Sequence, residues 1–484
     1  MTVFESVKLV SFEPPAVSEA IDVAVLGPGE AVPEDARAGA TAGAPGTILE
    51  IGSALAAKYP AARRVSGGYL SPGLVCAHTH LYSALARGLS VAIEPSKDFA
   101  QQLRHLWWRL DRAIDLPILK ASAAAGCAEA LACGVTSLVD HHAGPEAIDG
   151  SLSVIREAYE ELGLRGILCY ETTDRNGPQG ARAGIAENLR FAREIDAERA
   201  SGREPIVDAA IGAHALFTIG DETLAALGDA VRTTGRGIHI HAAEDKYDAV
   251  DSRHRFGSDL IARLDAASCL GPKSIIGHGV WLTESEAEIL NVRGSFLAHN
   301  ARSNMNNAVG YSSLLPRFAN VVLGTDGMSA DMLEEFRFAC FRHRESGGPW
   351  WPGDFLRCLD RGNRLLERYF GSAGSAAGDG GGAEGDALGE VHGAAPGAAP
   401  VFGRIRVGAA ADLVLWDYDP PTPLAGGNLA GHMAFGLSSR SVRSVMVAGR
   451  FAIEDGKPAF DAAAIAADAR EQARRMWKRM EERR

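Results

Sequence analysis

The sequence predicts an α/β protein: a (β/α)8 TIM barrel over residues 67–370, carrying a small β-sandwich built from both termini. Three observations predict it. Short apolar runs alternate with helix-like segments through the middle of the chain. Short β-like pieces fill residues 1–66 and 401–460. Polar residues recur at the ends of the predicted barrel strands, and strand C-terminal ends are where such barrels gather their functional groups.

The termini come first. "IDVAVL" and "GTILEIG" near the start, with "ADLVLWDY" and "VRSVMVAGRFAIEDGK" near the end, read as strands of one composite domain over 1–66 and 401–460. Eight barrel strands are expected in "YLSPGLVCAH", "VTSLVD", "RGILCYE", "IVDAAIGAH", "GIHIHAAE", "SIIGHG", "SFLAHN" and "NVVLGTD". Segments such as "LPILKASAAAGCAEALACG", "SLSVIREAYEELGL" and "DETLAALGDAVRTT" supply helices between them. Asp221 and Thr283 are expected N-caps, and Gly163 and Gly235 expected helix ends. A doubly wound open sheet is the competing architecture, and no Gly-rich phosphate loop supports it. Residues 371–400 are Gly/Ala-rich with few large apolar side chains, so a flexible insertion is expected there, with His392 a solvated loop residue. Residues 461–484 read as a charged amphipathic helix docking on its own domain.

Composition excludes several roles. A net charge of -12 gives no footprint for nucleic acid. No apolar run reaches about 18 residues, so no membrane span is expected. The start, "MTVFESVKLVSFEPP", lacks the basic and apolar regions of a secretory signal. Seven cysteines without framework spacing suit reduced thiols in a cytoplasmic protein.

The chemistry lies in the strand ends. His78 and His80 are two apart, so on one strand they share a face. An isolated HxH is more often a pair of surface histidines, but here other strand ends add to it. His214 ends the fourth strand, His241 and Glu244 follow the fifth, His278 ends the sixth and Asp326 the eighth. Three neutral imidazoles and a carboxylate could hold one divalent metal ion, Zn2+ or Fe2+, and leave a place for water. Such an ion lowers the pKa of its water from 15.7 towards about 7. Asp326 could accept the proton of the attacking water, Glu244 could carry a proton to a substrate nitrogen, and His278 could hold the water by a hydrogen bond. His214 could contact substrate. Trp107 and Trp108 could wall a planar substrate, with at least one of the two in the core or a dimer interface. Arg175 could bind a carboxylate or carbonyl, or lie solvated in its loop. His239 reads as a barrel-interior histidine satisfied by a neighbour. Asp140, His141 and His142 end the second strand, as pocket lining or as structure. His299 is not expected to be a ligand.

The order HxH, HxxE, His, Asp resembles the amidohydrolase superfamily, in its cytosine-deaminase and triazine-hydrolase branch. "PGLVCAHTHLYSALARGL", "GAHALFT", "HAAE", "HNARSNMNNAVG" and "GTDGMSADM" carry the resemblance over almost the whole chain. "WWRLDRAID", "VTSLVDHHAGPEAIDGSL", "CYETTDRNG" and "PPTPLAGGNLAGHMAFG" are similar to the SsnA-like aminohydrolases. The resemblance implies that His78, His80, His241 and Asp326 are metal ligands and that Glu244 and His278 act beside them. It implies a small nitrogen heterocycle as substrate. Two departures stand out: the 371–400 insertion, and Ala301 where many relatives have proline. From Ala121 to Asp245 there is no lysine to carry a bridging carbamate, which favours one ion; a two-ion site would need a carboxylate such as Glu171.

The expectation is therefore a metal-dependent hydrolase of a non-peptide C–N bond, deaminating a nitrogen heterocycle, and acting as a cytoplasmic homodimer. Amide hydrolysis or dehalogenation by the same site, and a catalytically silent barrel, are the alternatives.

Overall fold

The computed structural model describes residues 1–31, 46–371 and 401–483. The expected insertion at 371–400, with His392, lies outside the described residues except for Gly371.

The eight barrel strands are Leu74–Thr79, Val135–His142, Arg165–Tyr170, a fourth made of Val207–Ala209 and Ile211–Ala215, then Ile238–Ala242, Ile275–His278, Phe296–His299 and Val321–Leu323. All neighbouring pairs run parallel. Nearly every strand residue is buried, as expected of strands covered by helices on one face and by the barrel interior on the other. The fourth strand pairs with the third through its first half and with the fifth through its second. Parallel bridges from Thr172 to Ala213 and from Thr79 to Asp326 close the ring. The second bridge sets Asp326 beside the HxH strand. Gly324 permits that approach, because a Cβ there would fall 2.7 Å from the His78 Cβ.

The strand expected over "YLSPGLVCAH" is two strands. Tyr69–Pro72 belongs to the terminal sheet and Leu74–Thr79 to the barrel. The break is at Gly73, where a Cβ would lie 2.0 Å from the Thr136 hydroxyl. Strands from both termini join one nine-stranded sheet, in which Tyr69–Pro72 lies between Thr2–Phe12 and Leu413–Trp416. A buried ion pair, Arg165 Nε to Asp412 Oδ2 at 2.7 Å, ties this sheet to the third barrel strand.

Helix ends follow the sequence with one exception. Gly163 and Gly235 end their helices in the left-handed conformation, and Thr283 forms a capping box with Glu286. Asp221 is not an N-cap; Gly220 is. Asp174, from the loop after the third strand, replaces the expected cap: its carboxylate accepts from Gly220 N at 2.6 Å and from the Thr223 hydroxyl at 2.6 Å.

The terminal helix, Ala462–Glu482, packs against the barrel helix Leu116–Ala132 and buries Met476 and Met480. Trp477 Nε1 donates to Leu85 O at 3.1 Å, and Arg109 Nε to Met480 O at 2.7 Å. It thereby braces residues 81–111, which carry the two tryptophans. No helix among the described residues is long and apolar enough to cross a membrane.

Candidate metal centre and active site

The expected donors converge at the C-terminal mouth of the barrel. His241 Nε2 lies 3.2 Å from His78 Nε2 and 3.2 Å from His80 Nε2. Asp326 Oδ1 lies 3.4 Å from His78 Nε2 and 2.7 Å from His80 Nε2. A tetrahedral shell with bonds of 2.0–2.2 Å places its donors about 3.3–3.6 Å apart. Three of the four measured edges are thus near that size, and the His80–Asp326 edge is shorter. Imidazole lone pairs that face one another cannot satisfy each other, whereas a shared divalent ion satisfies all of them, so this donor set fits zinc or another borderline cation.

The local backbone turns these groups inward. Asp326 and His278 sit at φ 54° and φ 71°, left-handed conformations that cost energy outside glycine and that gather at functional sites. His239 Nε2, on the fifth strand, contacts His78 Nδ1 at 2.8 Å and so fixes the His78 ring, the neighbour-satisfied role expected for it.

Charge is divided unevenly across the site. Burial holds His78 down to about 4 and His241 well below the ordinary imidazole value, so both present lone pairs. Burial opposes charge on His80 as well, but the Asp326 and Glu171 carboxylates carry it well above its usual value. Asp326, despite burial, is held well below the carboxylate range by His78 and His80. Burial pushes Glu244 up to about 7.

Glu244 and His278 stand beside this set. Glu244 Oε1 accepts from Asn307 Nδ2 at 3.1 Å, and Oε2 lies 3.6 Å from His278 Nε2. His278 Nδ1 donates to Asn304 Oδ1 at 2.8 Å. That leaves His278 Nε2 buried without a hydrogen-bond partner, 4.0 Å from Asp326 Oδ2. The Asp326 carboxylate also accepts from the Ser303 hydroxyl. Glu244 does not cap the following helix; Asp245 does, accepting from Tyr247 N at 2.9 Å.

A cavity opens over these groups, lined by His80, His214, His241, Glu244 and Asp326 together with Trp107 and Trp108. Both tryptophans therefore face it, where at least one was expected in the core or an interface. Trp107 reaches over Gly327, and the Trp108 ring lies 6.3 Å from that of His214. The helix widens to π geometry over Leu103–Trp107, a distortion frequent at functional sites. Arg175 does not line the cavity. It stacks on the ring of Trp108 at 4.6 Å and donates to Asp111 Oδ2 at 3.2 Å. Its guanidinium packs on two residues, Trp108 and Asp111, that do line the cavity.

Several polar groups escaped the sequence reading as parts of the cavity, Asp111, Ser303 and Asn307 among them. The last two belong to the "HNARSNMNN" run that was expected to shape the mouth. Asp111 had no signal, because its place depends on how residues 81–111 fold back over the barrel. His299 is buried away from the donor set, with no hydrogen-bond partner on either ring nitrogen.

The family model described as "Amidohydrolase family" matches residues 69–359. The chain belongs to the amidohydrolase family. Among curated relatives of this amidohydrolase, the 5'-deoxyadenosine deaminase of Methanopyrus kandleri is 28% identical over 395 residues, covering 80% of this chain and 82% of that one. The 5-methylthioadenosine/S-adenosylhomocysteine deaminase of Thermococcus sibiricus is 31% identical over 304 residues, covering 61% and 68%. Among solved structures, an adenosine deaminase from Xanthomonas campestris with bound zinc has a TM-score of 0.76 at 22% identity, covering 98% of each chain. The atrazine chlorohydrolase of Arthrobacter aurescens, complexed with zinc, has a TM-score of 0.73 at 19% identity, covering 98% and 100%. These two likenesses establish the shared fold.

Proposed function

We propose that this amidohydrolase removes an exocyclic amino group from a nitrogen heterocycle, with one divalent ion, Zn2+, held by His78, His80, His241 and Asp326. The observation that carries the reading is the meeting of these four donors, 2.7–3.4 Å apart along the measured edges, directly beneath a cavity that Glu244 also lines. Deaminase relatives that cover most of the chain support the choice of leaving group. When bound, the ion supplies a water acidic enough to attack at neutral pH.

The chain's own groups do the rest. Asp326 accepts the proton that the water gives up as its oxygen bonds to the ring carbon. His278, with Nδ1–H committed to Asn304, turns its Nε2 lone pair towards the attacking water and orients it. Glu244, balanced near neutrality, gives its proton to the ring nitrogen as the oxygen adds and recovers one from the new hydroxyl, while Asp326 passes the proton it accepted to the departing amino nitrogen. The carbon–nitrogen bond breaks, a carbonyl replaces it, and ammonia leaves. Trp107 and Trp108 cover the faces of a planar ring, and His214 contacts its edge. We take the working unit to be a homodimer; the exposed Phe341 and Phe435, with ring centroids 5.7 Å apart, support a buried apolar contact between copies.

The test is ammonia release from purines, pyrimidines, pterins and adenine nucleosides by the zinc-loaded protein. Halide release from a chlorinated triazine, or carboxylate release from an amide, without ammonia release, would assign a different leaving group to the same centre.

A further inference from the structure

The surroundings of His141 give it a task. It ends the second barrel strand and is fully buried. Its ring stacks on His239, with centroids 4.4 Å apart and planes 25° from parallel. His141 Nε2 lies 3.1 Å from His239 O. A carbonyl oxygen only accepts, so the proton sits on Nε2 and Nδ1 presents a lone pair.

That lone pair faces other acceptors. His141 Nδ1 lies 3.3 Å from His241 Nε2 and 3.3 Å from Glu171 Oε1. Glu171 is itself buried, and its Oε1 has no hydrogen-bond partner, so Nδ1 does not donate to it. The four ligand atoms of His78, His80, His141 and His241 all lie within 4.8 Å of one another. The 3.3 Å separation from His241 matches the spacing between donors that share an ion, as the His78 and His80 separations do. We infer that His141 Nδ1 is a fifth donor to the divalent ion, giving it four imidazoles and one carboxylate. This rests on the metal site proposed above and extends it to a residue that neither the expected pattern of ligands nor the family resemblance includes. Glu171, one contact further out, places its carboxyl group beside His141 and His80, 3.2 Å from His80 Nδ1. Four imidazoles suit zinc or ferrous iron and hold either more firmly than three.

X-ray absorption at the metal edge of the zinc-loaded wild-type protein counts the imidazoles. Four are expected, and three overturn the assignment while leaving the proposed site intact. A wild-type protein that takes up no ion overturns both. The His141→Phe variant is then titrated with zinc against a competing chelator and loaded with Co2+. Affinity is expected to fall at least about tenfold, and the visible Co2+ spectrum to intensify as the coordination number falls by one. Unchanged affinity with an unchanged spectrum contradicts the inference. Should His141→Phe fail to fold, the imidazole count on the wild-type protein decides alone.

Discussion

Replacing Glu244 by Gln separates catalysis from stability. The carboxylate has two neighbours: Asn307 Nδ2 at 3.1 Å and the otherwise unpartnered His278 Nε2 at 3.6 Å. A glutamine of the same shape keeps the first with its oxygen and offers its amide N–H to the second. Packing should survive. The proton relay should not, because an amide neither takes up nor gives a proton near neutral pH. Loss of a general acid–base group lowers turnover by roughly 10²–10⁴-fold. Stability should move the other way. Burial raises Glu244 from 4.5 to about 7, so in the metal-free protein the stability its protonated form supplies at low pH is lost as pH rises through 7. A shift of this size corresponds to roughly 3 kcal/mol at pH 8, which the neutral glutamine does not forfeit. The assay pairs ammonia release with chemical denaturation of the metal-free protein at pH 5 and pH 8. The expected result is a large loss of turnover, unchanged metal content, and stability at pH 8 equal to or above the parent's. Near-normal turnover, or a variant less stable than the parent at pH 8, refutes the reasoning.

Three further outcomes follow from the same geometry. His241→Ala removes the donor that lies 3.2 Å from both His78 and His80, so dialysed protein should lose its ion along with activity; retained stoichiometric metal would count against the ligand assignment. The protonated His80 that pairs with Asp326 must give up its proton to bind a cation, so zinc uptake near pH 7 should release about one proton and weaken as pH falls, which calorimetry in buffers of different ionisation enthalpy measures. Asp248 accepts from Ala243 N at 2.7 Å and from Phe217 N at 3.2 Å, and burial raises it from 3.8 to about 7. Its contribution to stability should be present below about pH 4 and lost by pH 8, so the stability of the parent relative to Asp248→Asn should fall by up to ~4 kcal/mol across that window; parallel pH curves would show that Asp248 is not held protonated.

The barrel and its donors were legible because they depend on local rules. The two-residue spacing of His78 and His80 fixes a shared face, and the strand-end positions of His241, His278 and Asp326 place them at one mouth. Gly163 and Gly235 announce helix ends by the left-handed turn they permit. What stayed hidden depends on tertiary contact. The strand break at Gly73 answers to Thr136, far along the chain, and Gly220 is capped by Asp174 from another loop. The contacts of Arg175 with Trp108 and Asp111 could not be read from the sequence, since each joins residues more than 60 apart. His141 shows its lone pair only once the His239 carbonyl is found on its other nitrogen.

The central claim is that deamination depends on an ion held by His78, His80, His241 and Asp326. It is tested most directly by following ammonia release from a panel of amino-substituted heterocycles with zinc-loaded protein, with the same protein stripped by a chelator, and after zinc is restored. The account predicts release that disappears on stripping and returns with about one zinc per chain. Ammonia release at full rate from the stripped protein, or none from any heterocycle at full zinc occupancy, would contradict it.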